Sequence, residues 1–98
     1  MSQHVQFTMS GELALAMHVP LLPRMVERAE INTSAFSYLV TNDNVFHIDC
    51  TRELAAGFIE GLRKMTEQDH PAELKAQCWT VIARILELLQ EQRNASMN

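Results

Sequence analysis

Residues 36–51 read FSYLVTNDNVFHIDCT, and the fold turns on how this segment is taken. Phe36 and Val40 extend a spacing that runs back through Thr33, Ala29 and Val26 to Leu22 in steps of four and three. That spacing keeps the residues on one helical face, so it predicts a helix from about 23 to 40. Ile31, Asn32 and Thr33 have weak helix propensity and predict a bend or break in its middle. Residues 41–44, Thr-Asn-Asp-Asn, are turn chemistry, with short polar side chains that bond to their own backbone. Val45 to Cys50 then reads as a short extended run, with Phe46, Ile48 and Cys50 on one side and His47 and Asp49 on the other. Thr51 is placed to cap a helix over about 52–66, and Glu53 sits in the first turn, where a helix dipole favours negative charge.

Upstream, residues 4–9 (HVQFTM) alternate, with Val5, Phe7 and Met9 to one side. Ser10 is an N-cap for a helix over about 11–19 that Pro20 ends, and Pro23 suits the first turn of the next helix. Downstream, Leu54, Phe58, Leu62 and Met65 form the apolar face of helix 52–66. After TEQDHP a last helix starts at Pro71, behind Asp69 or His70 as cap, and runs to about Gln92. The expected architecture is one all-α domain spanning 1–98, a bundle of three to four helices. A short β element enters only if residues 5–9 pair with 45–50.

Composition supports one small core. Apolar residues make up 47% and charged residues 20%, with three Gly and three Pro in 98 residues. Eight basic and twelve acidic residues give a net charge of −4 with no basic stripe, which argues against direct nucleic-acid binding. The first residues carry neither a Lys/Arg-bearing leader nor an uninterrupted apolar stretch, so neither a signal peptide nor a membrane span is expected. Cys50 and Cys78 are too few for a disulfide framework and read as free thiols of a cytoplasmic protein.

The last helix says most. Leu74, Cys78, Val81, Ile85 and Leu88 make one apolar seam; Trp79, Ile82, Leu86 and Leu89 make a second beside it. Together they span roughly half the circumference at about 100° per residue, more than one side of a small core should need. The second seam is therefore expected to meet another protein or a second copy of the chain, as a homodimer. Trp79, Ile82, Ile85, Leu86 and Leu89 are the predicted interface. Gly57 and Gly61, four apart on helix 52–66, add an edge where a backbone could approach closely.

His47, Asp49 and Cys50 are metal- and catalysis-capable residue types, but they lack a second ligand pair, and the alternation sends the thiol toward the core. No metal, cofactor or catalytic group is assigned. The expected function is that of a small non-enzymatic regulator, an anti-activator or adaptor acting on a partner such as a transcription regulator. Two rivals remain. One is a small-ligand sensor with a pocket lined by methionines, Phe36, Tyr38 and Trp79; the other is a thiol-dependent enzyme using Cys50, activated by the helix N-terminus that follows it.

Overall fold

The computed structural model describes residues 4–28 and 35–96. In chain order these form β1 (His4–Ser10), α1 (Gly11–Ala16), a 3-10 turn (Val19–Leu21), α2 (Leu22–Arg28), β2 (Phe36–Val40), β3 (Val45–Thr51), α3 (Arg52–Glu67) and α4 (Ala72–Ser96). The expected all-α bundle is thus overturned. A three-stranded antiparallel sheet, order β1-β3-β2, makes this an α+β fold.

The pairing of 5–9 with 45–50 exists and reaches from His4 opposite Thr51 to Ser10 opposite Val45. What the helical spacing hid is β2. Phe36 and Val40 are four apart, a separation that fits a helix face and also one side of a strand, since four is a multiple of two. Aromatic and β-branched content decides it: Phe-Ser-Tyr-Leu-Val favours a pleated surface. Phe36 pairs with Cys50 and Val40 with Phe46, and the Tyr38 ring stacks on Phe46 at 5.4 Å. The predicted bend at 31–33 lies outside the described residues.

Residues 41–44 form the hairpin turn. The Asn44 N–H donates to the Thr41 carbonyl at 3.0 Å, and the Thr41 N–H donates to the Val45 carbonyl at 3.0 Å. Asn44 takes the left-handed conformation at φ 60°, which asparagine tolerates better than most residues. Its carbonyl also accepts from the Gly11 N–H at 2.8 Å. A Cβ on residue 11 would run into the Asn44 side chain, which would have to turn aside, so glycine makes room where the hairpin meets α1.

The caps predicted at Ser10 and Thr51 are in place. The Leu13 N–H donates to Ser10 Oγ at 3.2 Å, and the Leu54 N–H donates to Thr51 Oγ1 at 3.4 Å. The first helix stops at Ala16, short of the expected residue 19, because His18 turns left-handed at φ 59° and starts the 3-10 turn that carries Pro20.

Helices cover one face of the sheet. Val5, Phe7, Met9, Phe46, Ile48 and Cys50 point into the core, where they meet buried side chains of α3 (Ala55, Phe58, Leu62) and α4 (Cys78, Ile85). Phe58 is the hub, edge-on to Phe7 at 5.5 Å and stacked on Phe36 at 6.1 Å. The opposite sheet face is open. Gln6, Thr8, Ser37, Leu39 and His47 are exposed there, and Asp49 lies 2.6 Å from His4 Nδ1 while accepting from Gln6 Nε2 at 3.0 Å. No helix among the described residues is long and apolar enough to cross a membrane.

Candidate functional site

Helix α4 is 25 residues long, about 37 Å at 1.5 Å per residue. It lies against α3 and β1. Two side chains fasten it to β1: Ser10 Oγ donates to Gln77 Oε1 at 2.5 Å, and Gln92 Nε2 donates to the His4 carbonyl at 2.6 Å. The first seam is inward. Leu74, Cys78, Val81 and Ile85 are buried, and Leu88 is half-buried.

The second seam is split. Ile82 and Ile85 of the predicted interface are 5% and 0% exposed, while Trp79 and Leu86 are 54% and 52% exposed; Leu89 is half-buried. Helical geometry explains the division. At about 100° per residue, Ile82 and Leu89 lie roughly 40° to 80° around the helix from Trp79 and Leu86, on the side nearer the core. One chain therefore shelters more of the helix than its size suggests, because sheet and α3 flank it together. It does not shelter Trp79 and Leu86.

Sequence reading missed the residues that complete the outer line. Ala72, Ala76, Trp79, Ala83, Leu86 and Gln90 are all exposed and step by four, three, four, three, four. That spacing keeps them on one side of the helix. The signal was present but carried by alanines, which read equally well as helix filler. Beside the line, Arg84 Nη1 meets Glu87 Oε1 at 2.9 Å with both groups exposed.

Gly57 and Gly61 part company. A Cβ on Gly61 would lie 3.3 Å from Met17 Cε, whereas one on Gly57 would have nothing within 4 Å. Internal packing accounts for Gly61 alone. Gly57 floors a shallow apolar hollow of about 230 Å³ walled by Met17, Leu22, Leu54 and Phe58, and Leu21 and Met25 elsewhere in this part of the chain are exposed.

The other predicted constellations do not assemble. Trp79 sits on the outer side of α4, away from Phe36 and Tyr38, whose rings contact each other and the core aromatics; Trp79 does not line the hollow that holds Met17. Cys50 is fully buried. Burial first, and the neighbouring Asp49 charge second, push its thiol up to about 12, the reverse of the activation expected from the helix N-terminus. Asp49 faces the other way, and hydrogen bonds from Gln6 and His4 hold its carboxyl below the usual range. Among the described residues no three His, Cys, Asp or Glu side chains converge as a metal site would require.

Comparison with known proteins finds no family profile, no curated relative and no solved structure that matches this chain.

Proposed function

We propose that this chain is a small, non-enzymatic regulatory protein of the cytoplasm that works by occupation. Its α4 outer face binds another protein, covering or bridging a surface of a partner such as a transcription regulator, as an anti-activator or adaptor does. One observation carries the reading: Trp79 and Leu86, two large apolar side chains, stand more than half exposed on a single line of a long, well-fastened helix. Tryptophan is among the residues that most often anchor protein interfaces, and a rigid helix presents it at little entropic cost on binding. Ala83 between the anchors, with Ala76 before them, lets a partner helix approach closely. Full burial of a large apolar side chain is worth on the order of 2 kcal/mol, so two half-exposed anchors supply part of a micromolar affinity and the flanking residues must supply the rest.

Affinity capture from the native cytoplasm tests this, with Trp79→Glu and Leu86→Glu as paired variants and Leu15→Glu, exposed on α1, as control. A partner retained by wild type and the Leu15 variant, and lost by both α4 variants, supports the reading. A captured set indifferent to both α4 changes overturns it.

The small-ligand reading keeps one favourable observation, the apolar hollow over Gly57. Its ligand would be a compact apolar group, and the Gly57→Leu variant, which fills the hollow, would abolish binding while leaving Trp79-dependent capture intact.

A further inference from the structure

We infer that the free edge of β1, with the groove between it and α4, binds an extended segment of another protein, basic at both ends, as a fourth strand of the sheet. The groove lies on the flank of α4 toward β1, apart from Trp79 and Leu86, so the inference goes beyond the function proposed above.

The backbone argues first. β1 is the outermost strand in the order β1-β3-β2, so one of its sides has no neighbouring strand. Successive residues of an antiparallel strand turn their N–H and C=O groups to opposite sides. The Val45 carbonyl accepts from Thr41 on the β2 side, which turns Phe46 and Ile48 toward β1, against Met9 and Phe7. The backbone groups of Gln6 and Thr8 therefore point away from the sheet. The His4 carbonyl follows the same alternation, since it turns to Gln92 on α4. Among the described residues nothing bonds to the Gln6 or Thr8 backbone on that side. Such a row of donors and acceptors is complementary to the backbone of another extended segment.

The groove has room for that segment. Its wider part, about 590 Å³, lies between residues 8–10 and the first half of α4, where buried Met9, Leu13 and Val81 line it. The narrower part, about 380 Å³, lies between residues 4–6 and the second half of α4, beside Val5 and Leu88. Six residues of strand are about 20 Å long and reach from one part to the other, with alternate side chains toward the apolar lining.

Charge names the ends. Glu73 lines the wider part and Glu91 the narrower, and among the described residues neither carboxylate has an ion pair or hydrogen bond. Arg84, the one arginine or lysine on the lining, is taken by Glu87 at 2.9 Å. Both ends are thus left negative, which matches a lysine or arginine near each end of the bound segment. An unmet acceptor points the same way. Gln92 donates to the His4 carbonyl as the N–H of a neighbouring strand would, and its Oε1 is buried with no hydrogen-bond partner among the described residues. A buried acceptor of this kind calls for a donor, and an incoming backbone N–H is one.

Fluorescence anisotropy with the full chain is the test, with folding checked by circular dichroism. The probe is a labelled seven-residue peptide of alternating valine and threonine with lysine at each end. It is expected to bind with a Kd of about 100 μM or tighter. Two further probes, N-methylated at one or the other set of alternate residues, separate backbone pairing from nonspecific adhesion. The probe whose methyls face β1 should lose about tenfold or more, and the other should keep its affinity. Thr8→Pro removes an outward N–H that the sheet does not use and should weaken the parent probe by a similar factor. Glu73→Lys with Glu91→Lys, both exposed, is the second variant and leaves β1 untouched. It should weaken binding more than Glu60→Lys with Glu67→Lys, an equal change of charge at exposed positions of α3. Absence of saturable binding, equal losses from the two methylated probes, or binding unmoved by Thr8→Pro and by the α4 pair each overturns the inference. The groove includes neither Trp79 nor Leu86, so failure here leaves the capture result standing, and a failed capture leaves this one.

Discussion

Two rows of α4 share one spacing and differ in everything else. Leu74, Cys78, Val81 and Ile85 are buried against the sheet and α3; Ala76, Trp79, Ala83 and Leu86 run along a separate, outward side and are exposed. Periodicity alone does not tell a core seam from a surface seam, because both satisfy the same helical geometry. Size pattern separates them. The inner row has no alanine and only Cys78 as a small side chain, as close packing within one chain demands. The outer row alternates tryptophan or leucine with alanine, which leaves gaps that nothing in the described chain fills.

Truncation should separate the rows most clearly. Ile85→Ala leaves a cavity in a site with no solvent access and is expected to cost about 3 kcal/mol, seen as a lower urea midpoint with unchanged slope. Trp79→Ala, despite removing a larger side chain, should move monomer stability by less than about 0.5 kcal/mol. If the two changes cost the same, Trp79 is sheltered and the contrast between the rows is lost.

Gly57→Ala carries the test to the neighbouring helix. The new methyl enters open space, so removing glycine from a helix interior should stabilise the monomer by about 1 kcal/mol. Gly61→Ala should gain less, since the Met17 terminus has to move. Equal gains would mean that Met17 does not pack on Gly61.

Thiol chemistry gives a third contrast, between kinetic shelter and exposure. Cys50 and Cys78 are buried and free, and burial raises both thiols above their usual range. Alkylation at neutral pH should be far slower in the native chain than in urea. Rapid native labelling of Cys50 would revive it as a nucleophile.

The smallest effect belongs to the open sheet face. Asp49 is held below the usual carboxylate range by Gln6 and His4. A carboxyl depressed in the folded state adds stability that is complete above its unfolded pKa and is lost as pH falls through the lower, folded one. Gln6→Ala should therefore narrow the stability difference between neutral and acidic pH, by a small amount because the pair is partly exposed. An unchanged difference would show that the hydrogen bond from Gln6 does not persist in water.

Much of the local structure was legible and the class of the fold was not. Ser10 and Thr51 announced their helices because a capping side chain acts within three residues. The alternation of Phe46, Ile48 and Cys50 against His47 and Asp49 was equally local, and burial follows it. The sheet was harder: β1 and β3 showed their alternation, but they pair residues distant in sequence, such as Phe7 with Ile48, so local pattern could offer the pairing without deciding it. Phe36 and Val40 misled because helix and strand periods coincide at a separation of four. Of the predicted interface, Trp79 and Leu86 are exposed, while Ile82 and Ile85 are buried because the core of the sheet and α3 reaches further around the helix than one side.

The hydrogen bond from Gln92 to the carbonyl of His4 joins residues 88 positions apart, and Gln77 holds Ser10 at the other end of the same strand. During synthesis, the opening strand must therefore wait for the final helix before its inner side is fully covered. Closing the inner side of β1 depends on contacts distant in sequence, which are slower to find than the helices' local ones. Until then Val5, Phe7 and Met9 remain available to any chaperone that recognises unfinished apolar strands.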